Sequence, residues 1–252
     1  MVDEVRYERV GAAAVLTIDR DARRNAVNGA AAHALLAGYR AFEADDSAHV
    51  LVLTGAQGTF CAGADLTDIA SLAPYVWSAD GPMGFSRRTP SKPTIAAVEG
   101  YAVAGGFELA LWCDLRIVGR GARFGFLERR WGVPLIDGGT QRLPHVIGLG
   151  RALELCLTGR LVESDEALAI GLANEVVDDG AALTRALELA ELIAGFPAPT
   201  MLADRAAMYA GLGRPLDDGL RIEARLGIRT IDVGVEGAAR FAAGAGRGGG
   251  SP

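Results

Sequence analysis

Three short apolar runs constrain this chain most. Val50-Leu51-Val52-Leu53-Thr54-Gly55 has no polar face, which marks a fully buried strand; Thr94 to Val98 is another short buried strand, and Leu115 to Val118 is strand-like. Between them lie segments of a different period. From Asn28 to Glu43 the apolar residues Leu35, Leu36, Tyr39 and Phe42 recur at helical spacing behind Asn28 as a cap, and Gly105 to Cys113 is a second helical stretch. Strand, helix, strand, repeated, predicts an α/β layered fold.

Ahead of the first unit, residues 5–9 and 13–18 flank Gly11 as a β-hairpin that ends in the polar loop Asp19 to Arg24. After Gly150 helices take over. One is expected to be capped by Ser164 with Asp165 and Glu166 in its first turn, and a short strand follows near Asn174 to Val177. Phe196-Pro197-Ala198-Pro199 marks a boundary before helical segments at 200–212 and 216–242, and Gly244 to Pro252 reads as a frayed tail. Residues 73–90, with Trp77, Met83 and Phe85 read as exposed, suit either a segment that covers a substrate or an ordinary loop.

Composition narrows the partners. Half of the 252 residues are hydrophobic and 22% are charged, as in folded globular chains, and the net charge of −6 with no basic cluster argues against nucleic acid. No uninterrupted apolar run reaches membrane-spanning length, and the N-terminal stretch lacks the pattern of a secretory signal. Cys61, Cys113 and Cys156 are odd in number and unpaired in spacing, so neither a disulfide framework nor a metal site is expected, and a cytoplasmic setting fits. His145 reads as a hydrogen-bonded structural residue, because nothing pairs it with a nucleophile.

Chemistry concentrates in three glycine-rich turns, Phe60 to Leu66, Gly100 to Glu108 and Pro134 to Thr140, each read as ending a strand-like run and opening a helix. Such a junction leaves amides without intrahelical partners, in a positive potential, and glycine lets a ligand approach the backbone. The Ala104-Gly105-Gly106 turn lacks the spacing of the nucleotide-binding fingerprints. An oxyanion of another kind is indicated.

The order and spacing of these motifs, FCAGADL, then IAAVEGYAVAGGFELALWCD, then FGFLERRWGVPLIDGGTQRLP, resemble the crotonase (enoyl-CoA hydratase/isomerase) family across roughly residues 5–240. The resemblance implies a crotonase-like spiral of ββα units, of α/β class, over residues 1–195. It also implies a helical C-terminal oligomerisation region, 196–252, serving a homotrimer or a dimer of trimers.

By the same resemblance, the backbone amides of Ala64 and Gly105 bind the thioester oxygen, and Glu108 and Glu128 are the acid–base pair. Ala22, Arg23, Arg24, Ala62, Asp65 and Leu66 would lie along coenzyme A, with the arginines meeting its phosphates. Coenzyme A is then part of an acyl-CoA substrate, and no separate cofactor is implied.

Two glutamates favour hydration of a 2-trans-enoyl-CoA over double-bond isomerisation using mainly Glu128, or over acyl-CoA binding without turnover. Asp137 stands about one residue from the place where some family members carry an acid, and is assigned a structural role. Ala104 replaces a glycine common in the family, Phe107 a smaller residue, and Leu127 a proline.

Overall fold

The computed structural model describes residues 4–245. The chain opens with a hairpin, β1 (Val5–Val10) and β2 (Ala13–Ile18), turned at Gly11 with φ of +55°. Helix α1 (Gly29–Ala44) follows, with the Asn28 side chain accepting the Ala31 N–H at 2.9 Å as the expected cap. Then come β3 (Val50–Gly55), the short α2 (Ala73–Val76), β4 (Thr94–Val98), β5 (Tyr101–Val103), α3 (Gly105–Trp112), β6 (Leu115–Gly119) and β7 (Arg123–Gly125). The first unit continues through α4 (Gly139–Ile147), α5 (Leu149–Thr158), β8 (Val162–Glu163), α6 (Ser164–Ala169), β9 (Glu175–Val177) and α7 (Ala182–Ala194).

Six strands form one sheet in the order β1-β2-β3-β4-β6-β9, parallel throughout except for the β1–β2 hairpin. All of β2 and β4, and β3 up to Thr54, are buried, which is why these segments carry apolar runs instead of alternation. A second sheet, β5-β7-β8, is assembled from pieces of two or three residues. The first glycine-rich turn is stitched beside β5: Cys61 N–H donates to Tyr101 O at 2.9 Å, and Val103 N–H donates back to Cys61 O at 3.0 Å.

Several expectations are corrected here. Ser164 does not cap α6; it is its first residue, and its hydroxyl donates to Arg120 O at 2.6 Å. The first turn opens a 3-10 segment, Leu66–Leu72, broken at Asp68 with φ of −135°, and the third turn follows a 3-10 turn, Leu127–Trp131, instead of a strand. Met83 and Phe85 are buried, not exposed. Phe85 packs in the core against Tyr39 and Trp112, with ring centroids 5.4 and 4.5 Å away, whereas Trp77 is 93% exposed.

The chain divides into two compact units between Glu191 and Leu192, within α7 and four residues before the expected boundary at 195. The second unit contains α8 (Ala198–Gly211), with Pro197 at its N-cap, α9 (Leu216–Ile228) and α10 (Ile231–Ala242). The single helical segment expected over 216–242 is interrupted at Arg229-Thr230, where the Thr230 hydroxyl donates to Gly227 O at 3.0 Å. Of the expected tail, residues 246–252 lie outside the described residues. Among the described residues no single helix is long and apolar enough to cross a membrane.

Candidate active site

The first two glycine-rich turns meet back to back. A Cβ built on Gly63, which has φ of +91°, would lie 2.9 Å from the Gly105 nitrogen and 2.8 Å from the Ala104 Cβ. Only glycine allows this approach. Gly105 is the first residue of α3, so its N–H has no intrahelical acceptor, while Ala64 sits on a bridge to Val27. Among the described residues neither the Ala64 nor the Gly105 amide donates to a backbone or side-chain partner, and both residues line one cavity of about 420 Å³. The helix dipole expected at both turns acts at Gly105 alone, because no α-helix starts at Ala64.

Glu108, one turn into α3, is buried and faces the same cavity. Its Oε1 accepts two N–H bonds from the third turn, from Asp137 at 3.0 Å and Gly139 at 2.7 Å. Burial pushes its pKa up to about 8. The negative charges of Asp137 and Glu128 push the same way, and the two amides pull it back. The approach at Gly139 is close, since a Cβ there would come 3.0 Å from the Glu108 carboxylate.

Glu128 arrives from the 3-10 turn after β7. It is 6% exposed, and neither carboxylate oxygen has a hydrogen-bond partner among the described residues, with the Arg129 guanidinium 3.8 Å from Oε1. Burial raises its pKa, and Arg129 opposes the rise. A buried, unpartnered carboxyl is costly, and its position in the cavity wall leaves it free to bond an incoming molecule.

The residues expected along coenzyme A separate into two groups. Arg24, Ala62 and Leu66 line the cavity, whereas Ala22 and Arg23 are exposed and stand outside its lining. Arg24 takes a left-handed backbone with φ of +51°. Asp65 is turned away: its carboxylate binds Arg20 at 3.2 Å and caps Thr67 through N–H and hydroxyl, so it holds the turn together. His145 is exposed on α4 and is absent from the cavity wall.

Sequence reasoning did not find the apolar wall made by Ile69, Leu72, Val76, Met83, Val133 and Ile136. Only Val76 and Met83 fall in segment 73–90, whose mixed character was their one signal. The departures also find their places. Phe107 points into the core, with ring centroids 5.4 Å from Phe124 and 4.7 Å from Phe126, while Leu127 and Ala104 line the cavity. Among the described residues no cluster suited to a metal ion occurs.

Two free amides, two buried carboxyls and an apolar cavity define a site that stabilises negative charge on a carbonyl oxygen while moving protons beside it. The enoyl-CoA hydratase/isomerase family model matches residues 8–243, and the chain belongs to that family. It is 38% identical to a probable enoyl-CoA hydratase of Rhizobium meliloti over 222 residues, covering 87% of this chain and 86% of the relative. An enoyl-CoA hydratase of Mycobacterium tuberculosis is 35% identical over 244 residues, covering 93% and 92%. The crystal structure of an enoyl-CoA hydratase from Mycobacterium marinum superposes with a TM-score of 0.89 at 38% identity, covering 95% of this chain and 96% of that one. The fold is thus the crotonase fold expected from the motifs.

Proposed function

We propose that the protein is an enoyl-CoA hydratase, adding water reversibly and syn to a 2-trans-enoyl-CoA to give a 3-hydroxyacyl-CoA. The observation that carries this is the presence of both Glu108 and Glu128 in one cavity wall with the Ala64 and Gly105 amides. The thioester oxygen binds the two amides, which favour the enolate over the neutral carbonyl. Burial, with the Asp137 and Glu128 charges behind it, raises the Glu108 pKa to about 8, so at neutral pH Glu108 holds a proton. One carboxylate takes a proton from water as the water oxygen bonds to Cβ, giving the enolate; the enolate collapses back to the thioester as its Cα takes a proton from the other carboxyl.

Isomerisation needs only one carboxyl and leaves Glu108 without a task. Binding without turnover leaves both unexplained. Arg24 at the cavity edge is the cation for a coenzyme A phosphate, and coenzyme A enters as part of the substrate. A homotrimer or dimer of trimers is proposed with it. Exposed apolar residues on the C-terminal unit, among them Met208, Leu216, Ile228 and Phe241, supply the surface a neighbouring subunit would cover. The test is loss of the conjugated enoyl-thioester absorbance with crotonyl-CoA and a longer enoyl-CoA. Wild type should consume at least one of them, and Glu108→Gln and Glu128→Gln neither. Substantial turnover by Glu108→Gln would favour the isomerase reading.

A further inference from the structure

Hydration as described uses two of the three buried acids in this cavity wall. The third, Asp137, is 3% exposed, and it is bonded in two directions. Its backbone N–H donates to Glu108 Oε1 at 3.0 Å. Its carboxylate Oδ1 accepts the Met83 N–H at 3.0 Å and the Ser86 hydroxyl. Around it, Arg142 donates to Asp137 O at 2.8 Å and to Ser86 O at 2.6 Å, and Arg87 donates to Ile136 O at 3.1 Å. Residues 83–87 are therefore tied to the third glycine-rich turn. Met83 in turn packs against Gly105, since a Cβ at Gly105 would come within 2.8 Å of the Met83 Cε.

We propose that Asp137 is a positioning residue: its carboxylate clasps residues 83–87 against Gly105 while its backbone holds Glu108, so that one residue sets both the closure of the cavity and the placement of the Glu108 carboxyl. The proposal rests on the hydratase reading. Burial raises the Asp137 pKa above the usual carboxylate range, and the Ser86 hydroxyl, the Met83 amide and the Arg87 and Arg142 charges pull it back. The charged groups acting on this centre are Glu108 from α3, Glu128 and Arg129 from the 3-10 turn, Arg87 from the clasped segment and Arg142 from α4. The Asp137 charge makes the Glu108 proton harder to remove. Without that charge the proton leaves at lower pH.

Three variants of the full chain separate charge from clasp. Asp137→Asn keeps an acceptor for Met83 and Ser86 but removes the charge; Asp137→Ala removes both; Ser86→Ala loosens the clasp and keeps the charge. The alkaline limb of kcat/KM with crotonyl-CoA should move down by about one pH unit in both Asp137 variants and stay in place in Ser86→Ala. Hydrogen exchange over residues 83–87 should quicken about 10-fold in Asp137→Ala and Ser86→Ala, as expected for loss of a hydrogen bond to a charged acceptor, and little in Asp137→Asn. An unmoved limb in Asp137→Asn, or unchanged exchange in Asp137→Ala, overturns the proposal. If wild-type protein hydrates no enoyl-CoA, the hydratase reading fails by itself. Exchange, and titration of the Glu108 carboxyl by infrared difference spectra against Glu108→Gln, then decide the Asp137 role without turnover.

Discussion

Replacing Glu108 by glutamine should cost activity and gain stability, the gain growing with pH. The glutamine oxygen can still accept the Asp137 and Gly139 amides that hold the glutamate, so the variant removes a titrating proton with little loss of shape. In the folded protein the Glu108 carboxyl is raised from 4.5 to about 8. A raised pKa means that the folded state holds the proton more tightly than the unfolded chain. The stabilisation is complete below pH 4.5 and is lost as the pH climbs through about 8. Each pH unit of that interval corresponds to about 1.4 kcal/mol, which sets a ceiling of about 5 kcal/mol, with most of it gone by pH 8.

Relaxation around the charge and coupling to Glu128 bring the expected difference down to roughly 2–3 kcal/mol between pH 5 and pH 8. The assay is urea unfolding of both proteins at several pH values, read as the difference in midpoint at constant slope. Hydration of crotonyl-CoA by the variant should fall by about 10²–10⁴-fold, the usual contribution of a general acid or base. A stability difference that stays flat from pH 5 to pH 8 would show that Glu108 is not held protonated by its surroundings, and would refute this account of its electrostatics.

Other substitutions probe the frame around the carboxyls. Ala104 holds φ of +52° and ψ of −128°, a conformation that suits glycine, so Ala104→Gly should raise stability by about 1 kcal/mol, measured as the urea midpoint. Gly106→Ala places a Cβ 2.1 Å from the Cys61 carbonyl oxygen; separating the turn from β5 should cost about 3 kcal/mol or more, seen as a fall in Tm together with activity. Arg24→Ala should raise KM for crotonyl-CoA about 5-fold at low salt with kcat nearly unchanged, and the difference should shrink as salt screens the phosphate contact.

Most of the large sheet is legible in the sequence because its strands are buried on both faces, and burial writes itself as the apolar runs at Val50–Gly55 and Thr94–Val98. The second sheet is not legible. Strands β5, β7 and β8 have two or three residues each, too few to show a period, and their pairing with one another and with the Cys61 turn joins residues far apart in the chain. Likewise Met83 and Phe85 read as exposed because they sit among prolines and glycines. Their burial depends on which surface the segment folds against, namely Asp137 for one and the Tyr39–Trp112 pair for the other.

The sequence by itself determined the family, the order of strands and helices in most of the large sheet, and the residue types chemistry needs: glycines where turns must touch, and glutamates inside two motifs. These follow from local preferences and spacing, which a linear string records. Only the tertiary structure decided which of those groups meet. It brought Ala64 and Gly105 to one cavity, spent Asp65 on Arg20, left Ala22 and Arg23 outside the cavity wall, and made Asp137 the link between Glu108 and Met83. The physical reason is that proton affinity and hydrogen-bond partnership depend on desolvation and on charges from distant segments, and those exist only after the segments have packed.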